Sequence, residues 1–573
     1  MNKKNLFSDF LILFNHLDSE MKLKIYFSTI VMTIASFLEV LSISALIPFV
    51  TAILYPEKLA EIQFVNLFLD TEDLQNINYK LIFTIIFISS IVIANTFRIF
   101  VLYLLIKLSK TIPLKLAEDV YKKTIETDYN ILKQKNSASI ISMITDKMDS
   151  LSGVFFNFLS ACSALIIIMA IVTLLFLINV KITLVTILTV LFLYSIIGFL
   201  FKKKLKENSI ILSKTSVERI KHVKETFGSM KQLILYDAKN LFQKIFTKYD
   251  KDFRLSQFKS QFLMTCPRFI VEAIGIIAIS LAVYFLHMTL KYEAISIITL
   301  VAALAFSAQK LLPQVNIVYI FYSTLINYSS FIKEINFILK EIKHEKINIE
   351  INKADINNLD FKHKIRLREI SFKYERNDTN VLKSFNFEIK KNSKIAIIGE
   401  TGSGKSTLLD IIMGLLEPLN GSLEVDGNKI FLENIKKWQK KFSHVPQETF
   451  LFDNTIKKNI IFDFYDKNIE LSKVVESAKL AEIHDFIERL PDKYETIVGE
   501  NGILLSGGQK QRIGIARALY KDKEILTLDE ATNALDIKTE KKILDNITKK
   551  NITIIQITHR VNNITNYDGL IEL

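Results

Sequence analysis

The sequence predicts an all-α polytopic membrane domain followed by an α/β domain, and three observations carry this prediction. Half of the 573 residues are hydrophobic and the mean hydropathy is +0.26, which is high for a soluble protein. Six apolar stretches, each long enough to cross a bilayer at about 20 residues, lie before residue 330. The remainder has shorter apolar runs, one of which leads into a glycine-rich loop. We predict a membrane domain over residues 1–335, a linker over 336–364 and an α/β domain over 365–573.

The α/β domain is organised around a glycine-rich loop between a strand and a helix. The apolar run Lys394–Ile398 indicates a buried strand, and Leu408–Met413 continues from the loop as a helix. This arrangement surrounds a polyphosphate with backbone N–H groups and a helix N-terminus. Lys405 would reach the β- and γ-phosphates, and Ser406 would offer its hydroxyl to Mg²⁺. The predicted nucleotide-binding loop comprises Gly399, Glu400, Thr401, Gly402, Ser403, Gly404, Lys405, Ser406 and Thr407.

Four later stretches carry side chains that suit phosphate chemistry. An apolar strand ends in two carboxylates, of which Asp529 suits the water shell of a metal ion and Glu530 suits a general base. The segment Leu505–Gln509 opens a predicted helix, whose N-terminus favours anions. Gln447 and His559 each follow another apolar strand. Each feature alone has an ordinary structural interpretation, but their order along one chain indicates a nucleotide-hydrolysing site.

Residues 365–573 resemble the nucleotide-binding domain of ABC transporters. The resemblance rests on motifs in the family's order: Walker A at Gly399–Ser406, the Q-loop at Gln447, the signature at Leu505–Gln509, Walker B at Ile525–Asp529, the D-loop at Ala534–Asp536 and the switch histidine at His559. It implies an α/β P-loop fold, ATP and Mg²⁺ as ligands, and ATP hydrolysis coupled to transport.

The resemblance also implies a role for each motif residue. Expected catalytic residues are Glu530, His559 and Gln447. Expected Mg²⁺ ligands are Ser406, Gln447 and Asp529. Tyr374 is expected to stack on the adenine, and an ordinary strand aromatic is the alternative. Beyond the loop, the expected ATP-binding residues are Ser506, Gly507, Gly508, Gln509 and Asp536.

The same resemblance implies an exporter that works as a homodimer. Thr496–Gly502 is similar to a segment that distinguishes exporters from importers in this family. One ATPase domain and six spans make half of an exporter. Since ATP in this family lies between Walker A of one copy and the signature of the other, Gly399–Thr407 is expected to face the signature of a second copy.

The membrane half alternates long and short connections between its spans. The predicted spans are Leu23–Leu54, Leu81–Ile106, Phe155–Leu177, Ile182–Phe201, Phe262–Met288 and Ile295–Ile326. Lysine-rich segments at residues 107–150 and 202–260 are long and have helical periodicity, which predicts that they extend the spans as helices, whereas the loops at 178–181 and 289–294 are short. Because Lys and Arg concentrate in cytoplasmic loops, the long segments and both termini are predicted to be cytoplasmic.

The exporter resemblance places short coupling helices within the two long segments, near Asp128–Lys133 and Leu233–Asn240. The external segment at residues 55–80 has an apolar helical stripe. It indicates either a helix in the membrane interface or a loop helix packed on the protein.

The formal charge of +13 fits the lysines of the predicted cytoplasmic segments, and no nucleic-acid partner is predicted from it. The two cysteines show no disulfide framework or metal-ligand spacing.

Three cations lie within predicted spans, where a charge facing lipid costs at least about 2.5 kcal/mol. They are Arg98, Arg268 and Lys310. One hypothesis is that they line a shared cavity and hold an anionic group such as a pyrophosphate. Two alternatives remain open: the side chains snorkel to the inner interface, or Arg268 pairs with Glu272 on one helix face.

The membrane half resembles bacterial flippases of lipid-linked oligosaccharides over Ile34–Phe49, Pro267–Gly275 and Leu312–Pro313. This resemblance implies ATP-driven flipping of a polyprenyl-pyrophosphate glycan across the bacterial inner (cytoplasmic) membrane. Lys310 stands where an arginine is expected, which leaves a bidentate phosphate contact in doubt. An exporter of another amphiphile, such as a lipid, drug or peptide, is the alternative. A nucleic-acid-associated ATPase would need a long coiled coil in place of the spans, and a ligand-gated channel would be distinguished by ion current.

Overall fold

A computed structural model describes the chain over residues 6–54, 79–127, 129–178, 180–288, 294–341, 359–374, 379–431, 433–463, 470–559 and 567–573. The chain divides into two units, Met1–Thr127 with Ile131–Ile347 and Asp128–Asn130 with Asn348–Leu573. The predicted external segment lies almost wholly outside the described residues, as does most of the predicted linker.

Helices form the described part of the membrane half. They are α1 (Leu6–Asn15), α2 (Ser19–Ser44), α3 (Leu46–Leu54), α4 (Tyr79–Glu126), α5 (Tyr129–Gln134), α6 (Ser137–Ser142), α7 (Met148–Ile178), α8 (Val180–Gly228), α9 (Met230–Leu235), α10 (Lys239–Met288), α11 (Ala294–Asn327) and α12 (Ser329–Glu341), with a π-helical turn at Met143–Lys147.

The described helices confirm a helical membrane domain with five or six spans. Five helices are long and apolar enough to cross a bilayer, and a sixth span results if the pair Leu311–Asn327 and Ser329–Lys340, bent by 60°, counts as one. The first predicted span is interrupted between α2 and α3 at Ala45. Pro48 lies in the first turn of α3, where a missing N–H costs no intrahelical hydrogen bond.

Three helices extend far beyond the thickness of a bilayer. With 48, 49 and 50 residues, α4, α8 and α10 are each roughly 70–75 Å long, whereas the hydrocarbon core is about 30 Å thick. They run without a break from the predicted spans into the lysine-rich segments. The short helices α5 and α9 follow α4 and α8; α5 lies within one residue of the first predicted coupling helix, whereas α9 overlaps the second only at 233–235.

The first lysine-rich segment, residues 107–150, contains a buried cation. The side chain of Lys147, in the π-helical turn, is fully buried and forms an ion pair with Glu334 of α12. Its ammonium also lies 5.6 Å from the ring centroid of Phe331, and Glu334 accepts a hydrogen bond from the Ser213 hydroxyl of α8. These contacts join three segments that are distant in sequence.

The second unit contains two sheets with helices between the strands. The strands are β1 (Lys364–Phe372), β2 (Leu382–Lys390), β3 (Lys394–Ile398), β4 (Asn420–Val425), β5 (Asn428–Lys429), β6 (Phe442–Val445), β7 (Ile525–Asp529), β8 (Thr553–Ile557) and β9 (Gly569–Glu572). The helices are α13 (Lys405–Ile412), α14 (Ile435–Gln439), α15 (Ile456–Ile461), α16 (Leu471–Leu480), α17 (His484–Glu488), α18 (Gly507–Lys521) and α19 (Ile537–Thr548).

The topology of the parallel sheet explains where its functional residues lie. One sheet is antiparallel, in the order β2-β1-β4-β5, and the other is parallel, in the order β6-β7-β8-β3-β9. The central strands are buried almost throughout, as expected for apolar strands covered on both faces. The carboxyl ends of parallel strands share one edge, so the residues that follow β3, β6, β7 and β8 converge there.

We expect Lys147→Met to lower the stability of the purified protein by about 1–3 kcal/mol, because Glu334 loses its buried charged partner. The midpoint of thermal unfolding in detergent measures this change. Lys221→Met is the matched control, since Lys221 forms a half-exposed pair with Glu225 at 4.0 Å that should contribute little. The double variant Lys147→Met/Glu334→Gln should regain part of the stability that Lys147→Met loses. If the stability losses of the two single variants simply add in the double variant, the two side chains are not directly coupled.

Candidate functional site

The glycine-rich loop connects β3 to α13 through backbone conformations that favour glycine. Gly402 and Gly404 have φ values of 87° and 102°, which lie in the left-handed region. A Cβ atom at Gly404 would approach Val381 Cγ1 to 2.8 Å, whereas one at Gly402 would meet no atom within 4 Å. The loop therefore packs closely at its base and is open on the side of Gly402.

The polar groups of the loop fit a phosphate ligand. The Lys405 ammonium is buried and donates to the carbonyl oxygens of Gly399 at 3.0 Å and Glu400 at 2.8 Å. The Ser403 hydroxyl is buried without a hydrogen-bond partner in the described part of the chain. Ser406 is exposed at the start of α13. A buried cation beside a buried hydroxyl that lacks a partner suits an anion with several acceptor oxygens.

Tyr374 lies beside the helix that follows the loop. Its hydroxyl forms a hydrogen bond of 3.0 Å with the Thr407 hydroxyl. Its ring contacts Phe372 edge to face, with 5.0 Å between the centroids. Thr407 also holds Tyr374 in position, a contact that the motif assignment does not anticipate.

Three side chains converge on the Glu530 carboxylate at the carboxyl edge of the parallel sheet. The Gln447 and Asn533 amides donate to Oε2 at 3.1 and 2.9 Å, and His559 Nε2 lies 2.7 Å from Oε1. The structure thus brings together Gln447, Glu530 and His559, which follow β6, β7 and β8. Asp529 is the last residue of β7.

The backbone of Glu530 supports this arrangement at some energetic cost. Its φ is +48°, a conformation that costs a non-glycine residue about 1–3 kcal/mol. A backbone hydrogen bond to the Ile557 carbonyl at 3.2 Å holds the residue there. The side chain is 16% exposed, so the carboxylate is accessible yet fixed by three donors. A carboxylate held in this way can orient and polarise a water molecule.

The signature residues form the N-terminus of α18. Ser506 caps the helix, with its hydroxyl accepting from the Gln509 N–H at 3.3 Å and its own N–H donating to Gln509 Oε1 at 2.8 Å. A Cβ atom at Gly508 would lie 3.1 Å from the Ala534 carbonyl oxygen, whereas a Cβ atom at Gly507 would fit without a clash. Close packing at Gly508 therefore places the D-loop against the signature helix.

The D-loop is held by two further contacts. The Ala534 N–H donates to Gln511 Oε1 at 3.1 Å. Asp536 caps α19 by accepting from the Thr539 N–H at 3.0 Å. A hydrogen bond from the Thr539 side chain lowers the pKa of Asp536. Within the described residues, no hydrogen bond joins the signature Ser506–Gln509 to the loop Gly399–Thr407.

In the membrane half, Arg98 lines a cavity of about 550 Å³ between α2, α4, α7 and α11. Its guanidinium lies 3.7 Å from the Glu39 carboxylate, and 17% of the Glu39 side chain is exposed. The amides of Asn95, Asn157 and Gln314 also line this cavity, among apolar side chains. The cavity is therefore amphipathic, with one ion pair in its wall.

Of the predicted cations whose side chains are described, Arg98 and Arg268 do not line the same cavity. Arg268 does not line the cavity of Arg98 and forms an ion pair of 2.7 Å with Glu272 on its own helix. This pair is one of the two alternatives that the sequence leaves open. The side chain of Lys310 lies outside the described part of the chain.

Sequence reasoning did not assign functions to three residues that the structure places at these sites. Asn533 lies three residues beyond Glu530 in the turn after β7, and Glu39 is an acidic residue inside an apolar span, which is itself a signal of function. Arg517 of α18 donates to the carbonyl oxygens of Phe450 at 3.0 Å and Asn459 at 2.8 Å. Burial lowers the pKa of Arg517 to about 10, so it remains a cation at neutral pH and fixes the segment after Gln447.

Two families match the chain. Residues 23–313 match the ABC transporter transmembrane region, and residues 382–533 match the ABC transporter family. A bacterial Atm1-family ABC exporter with ATP bound has a TM-score of 0.77, 20% identity, and coverage of 97% of this chain and 94% of that one. At this identity, the likeness shows the fold.

Two curated relatives match the chain over little more than a third of its length. An uncharacterized ABC transporter ATP-binding protein, YfiB of Bacillus subtilis (strain 168), is 40% identical over 210 residues, which cover 37% of this chain and 36% of that protein. The ABC transporter B family member 14 of Arabidopsis thaliana is 40% identical over 212 residues, which cover 36% of this chain and 17% of that protein. The chain thus spans about a third or less of the length of these relatives.

We expect Asn533→Ala to slow nucleotide hydrolysis about ten-fold, because losing one ordinary hydrogen bond to Glu530 corresponds to ~1.4 kcal/mol in the transition state. The measured quantity is kcat in steady-state hydrolysis by the full-length protein. KM should change little, which separates positioning of Glu530 from nucleotide binding. The exposed Asn551→Ala is the matched control, and an equal loss in both variants would contradict this role.

Proposed function

Because the chain belongs to the ABC transporters, whose ATPase domains couple ATP hydrolysis to transport, we propose that it is an exporter that flips a lipid-linked oligosaccharide across a bacterial cytoplasmic membrane. The observation that carries the hydrolytic part is the convergence of Gln447 and His559 on Glu530. The observation that supports a polar, anionic cargo is the cavity around Arg98.

In the proposed hydrolytic step, Glu530 orients the attacking water and polarises it. Gln447 and His559 hold the carboxylate and would lie near the reacting phosphate, where charge develops. Ser406, Asp529 and Gln447 would hold Mg²⁺, which neutralises charge on the phosphates when it is bound. Lys405 would exchange its two loop carbonyls for phosphate oxygens, and Tyr374 would contact the adenine.

The arrangement of the motifs supports a homodimer as the working unit. One copy carries both the phosphate-binding loop and a signature helix, and no hydrogen bond of the described residues connects them. Two copies facing each other would each supply the signature to the other's loop. The capped N-terminus of α18 then offers its remaining N–H groups to the nucleotide.

The physical problem of the proposed cargo is its polar head. Each sugar hydroxyl transferred unpaired into hydrocarbon costs roughly 4–8 kcal/mol, so an oligosaccharide on a pyrophosphate does not cross a bilayer unaided. The Arg98 guanidinium has five N–H donors and a contact of 3.7 Å to Glu39 that leaves most of them available. The amides in the cavity wall suit sugar hydroxyls. Arg268 and Lys310 would add further contacts along the path of the pyrophosphate.

An exporter of another amphiphile is the alternative. The apolar residues in the wall of the same cavity, such as Ile99, Leu102 and Ile167, favour a cargo that is less polar than a glycan. The two functions differ in whether the positive charge of Arg98 is needed.

We expect Glu530→Gln to abolish ATP turnover while ATP-bound dimers persist, because the amide keeps the shape of the side chain but cannot polarise water. Hydrolysis by the purified protein and its oligomeric state with ATP are the two measurements. Full hydrolysis by the variant would refute the role of Glu530, and a variant that is monomeric with ATP would contradict the proposed nucleotide sandwich.

We expect Arg98→Gln to remove the stimulation of ATPase by polyprenyl-pyrophosphate sugars in proteoliposomes and to leave basal ATPase intact, because the cavity loses its cation. A panel of purified polyprenyl-pyrophosphate sugars, drugs and phospholipids provides the comparison. Arg254→Gln, on the exposed pair with Asp250, is the charge-matched control. If transport is unchanged when Arg98, Arg268 and Lys310 are neutralised one at a time, these cations do not hold the cargo. If drugs alone stimulate the ATPase activity, the exporter of another amphiphile is favoured.

A further inference from the structure

A second cavity, of about 580 Å³, lies between α2 and α4 and shares no lining residue with the cavity of Arg98. On α2, its wall consists of Leu23, Phe27 and Ile30, which follow helical spacing and are 70%, 55% and 60% exposed. On α4, Leu104 and Leu108 complete the apolar wall. We call this cavity the α2–α4 groove.

The α2–α4 groove lies on a helix that is apolar all round. The opposite side of α2 contributes Ile25 and Met32, which are 7% and 1% exposed, to the core of the membrane unit. A helix that is apolar on both its buried and its exposed side is typical of a membrane span. The groove is therefore expected to open toward lipid.

Two lysines border the groove and give it a charge. Lys24 pairs with Glu20 one turn away on α2 at 2.6 Å, and both side chains are more than half exposed. The Lys107 ammonium lies 5.6 Å from the Tyr103 ring centroid, and it has no carboxylate within 4.0 Å in the described part of the chain. The groove thus combines an apolar wall with at least one cation that lacks an anionic partner.

The two lysines lie at the end of the groove where the headgroup of a membrane lipid is expected. Lys24 lies near the start of the first span, and Lys107 directly follows the predicted span Leu81–Ile106. The excess of lysine in the segment after Ile106 places this end on the cytoplasmic side. Basic pockets between spans on that side complement the phosphate of a lipid, whose chains occupy the apolar wall.

We propose that the α2–α4 groove is a binding site for an anionic phospholipid of the cytoplasmic leaflet, with its phosphate held by Lys107 and Lys24 and an acyl chain along Leu23, Phe27 and Ile30. This site is independent of the proposed cargo, because it shares no residue with the Arg98 cavity. A second copy of the chain is the competing occupant. It would have to bring an anion to Lys107, whereas the membrane supplies phosphate at that depth.

The first test measures lipid retention by the full-length protein in native mass spectrometry with phosphatidylglycerol or phosphatidylcholine. Because each interfacial lysine contributes about five-fold to the affinity for anionic lipid, Lys107→Gln and Lys24→Gln should each weaken phosphatidylglycerol retention to that extent. Retention of phosphatidylcholine should not change. Lys110→Gln, an exposed lysine one turn from Lys107 that does not line the groove, is the matched control. An equal loss in Lys110→Gln would overturn the site in favour of a diffuse surface charge.

The second test uses the fact that the sequence has one tryptophan, Trp438, which is fully buried in the second unit. Phe27→Trp then adds a fluorophore in the groove, and brominated lipids in a bilayer report contact by quenching. Brominated phosphatidylglycerol should quench Phe27→Trp more strongly than brominated phosphatidylcholine does. Phe199→Trp, on the 81% exposed Phe199 of α8, should be quenched equally by both.

Two outcomes of the second test overturn the proposal. Equal quenching of Phe27→Trp by both lipids would mean that the groove contacts lipid without selecting an anionic headgroup. No quenching by either lipid would mean that protein, such as a second copy of the chain, covers the groove. The wild-type protein, with Trp438 alone, provides the background signal in each case.

Discussion

The register between β7 and β8 is the constraint on which the nucleotide site depends. Asp529 pairs with Ile557 across these parallel strands, and the next backbone contact runs from the Glu530 N–H to the Ile557 carbonyl. Because side chains alternate along a strand, a slip of one residue would turn His559 away from the carboxylate. A slipped pairing would also exchange the buried side chains of the two faces of β7 and β8 and disturb their packing. The register of these strands thus contributes to the contact of 2.7 Å between Glu530 and His559.

The membrane unit meets a different constraint, which is that charge must be compensated inside apolar surroundings. The Lys147 side chain is fully buried and pairs with Glu334, whose side chain is 38% exposed, whereas Arg98 lies 3.7 Å from Glu39 in the wall of a cavity. The first pair joins segments that are distant in sequence, and the second is accessible from the cavity. Accessibility and incomplete pairing distinguish a charge that can exchange partners from one that supports the fold.

Features of this structure that depend on local sequence patterns can be predicted from the sequence, whereas contacts that depend on tertiary packing cannot. The membrane domain and the α/β domain follow from continuous apolar runs, and the convergence of Gln447, Glu530 and His559 follows from the rule that parallel strands end at one edge. Asn533 was not predicted because its contact depends on how a turn folds back, which no periodicity encodes. The pairing of Arg98 with Glu39 was not predicted because it requires the rotation of α2 against α4. The continuation of α4, α8 and α10 beyond the apolar runs follows from the helical periodicity of the lysine-rich segments.

The three long helices also differ in stiffness. Pro113 interrupts the hydrogen-bond ladder of α4 and Pro267 that of α10, but α8 runs for 49 residues without a proline. A rod of roughly 70 Å that tilts by about 5° displaces its far end by about 6 Å. Of these three helices, α8 alone lacks a proline, so we expect a displacement at one end of α8 to reach its other end with less bending than in α4 or α10.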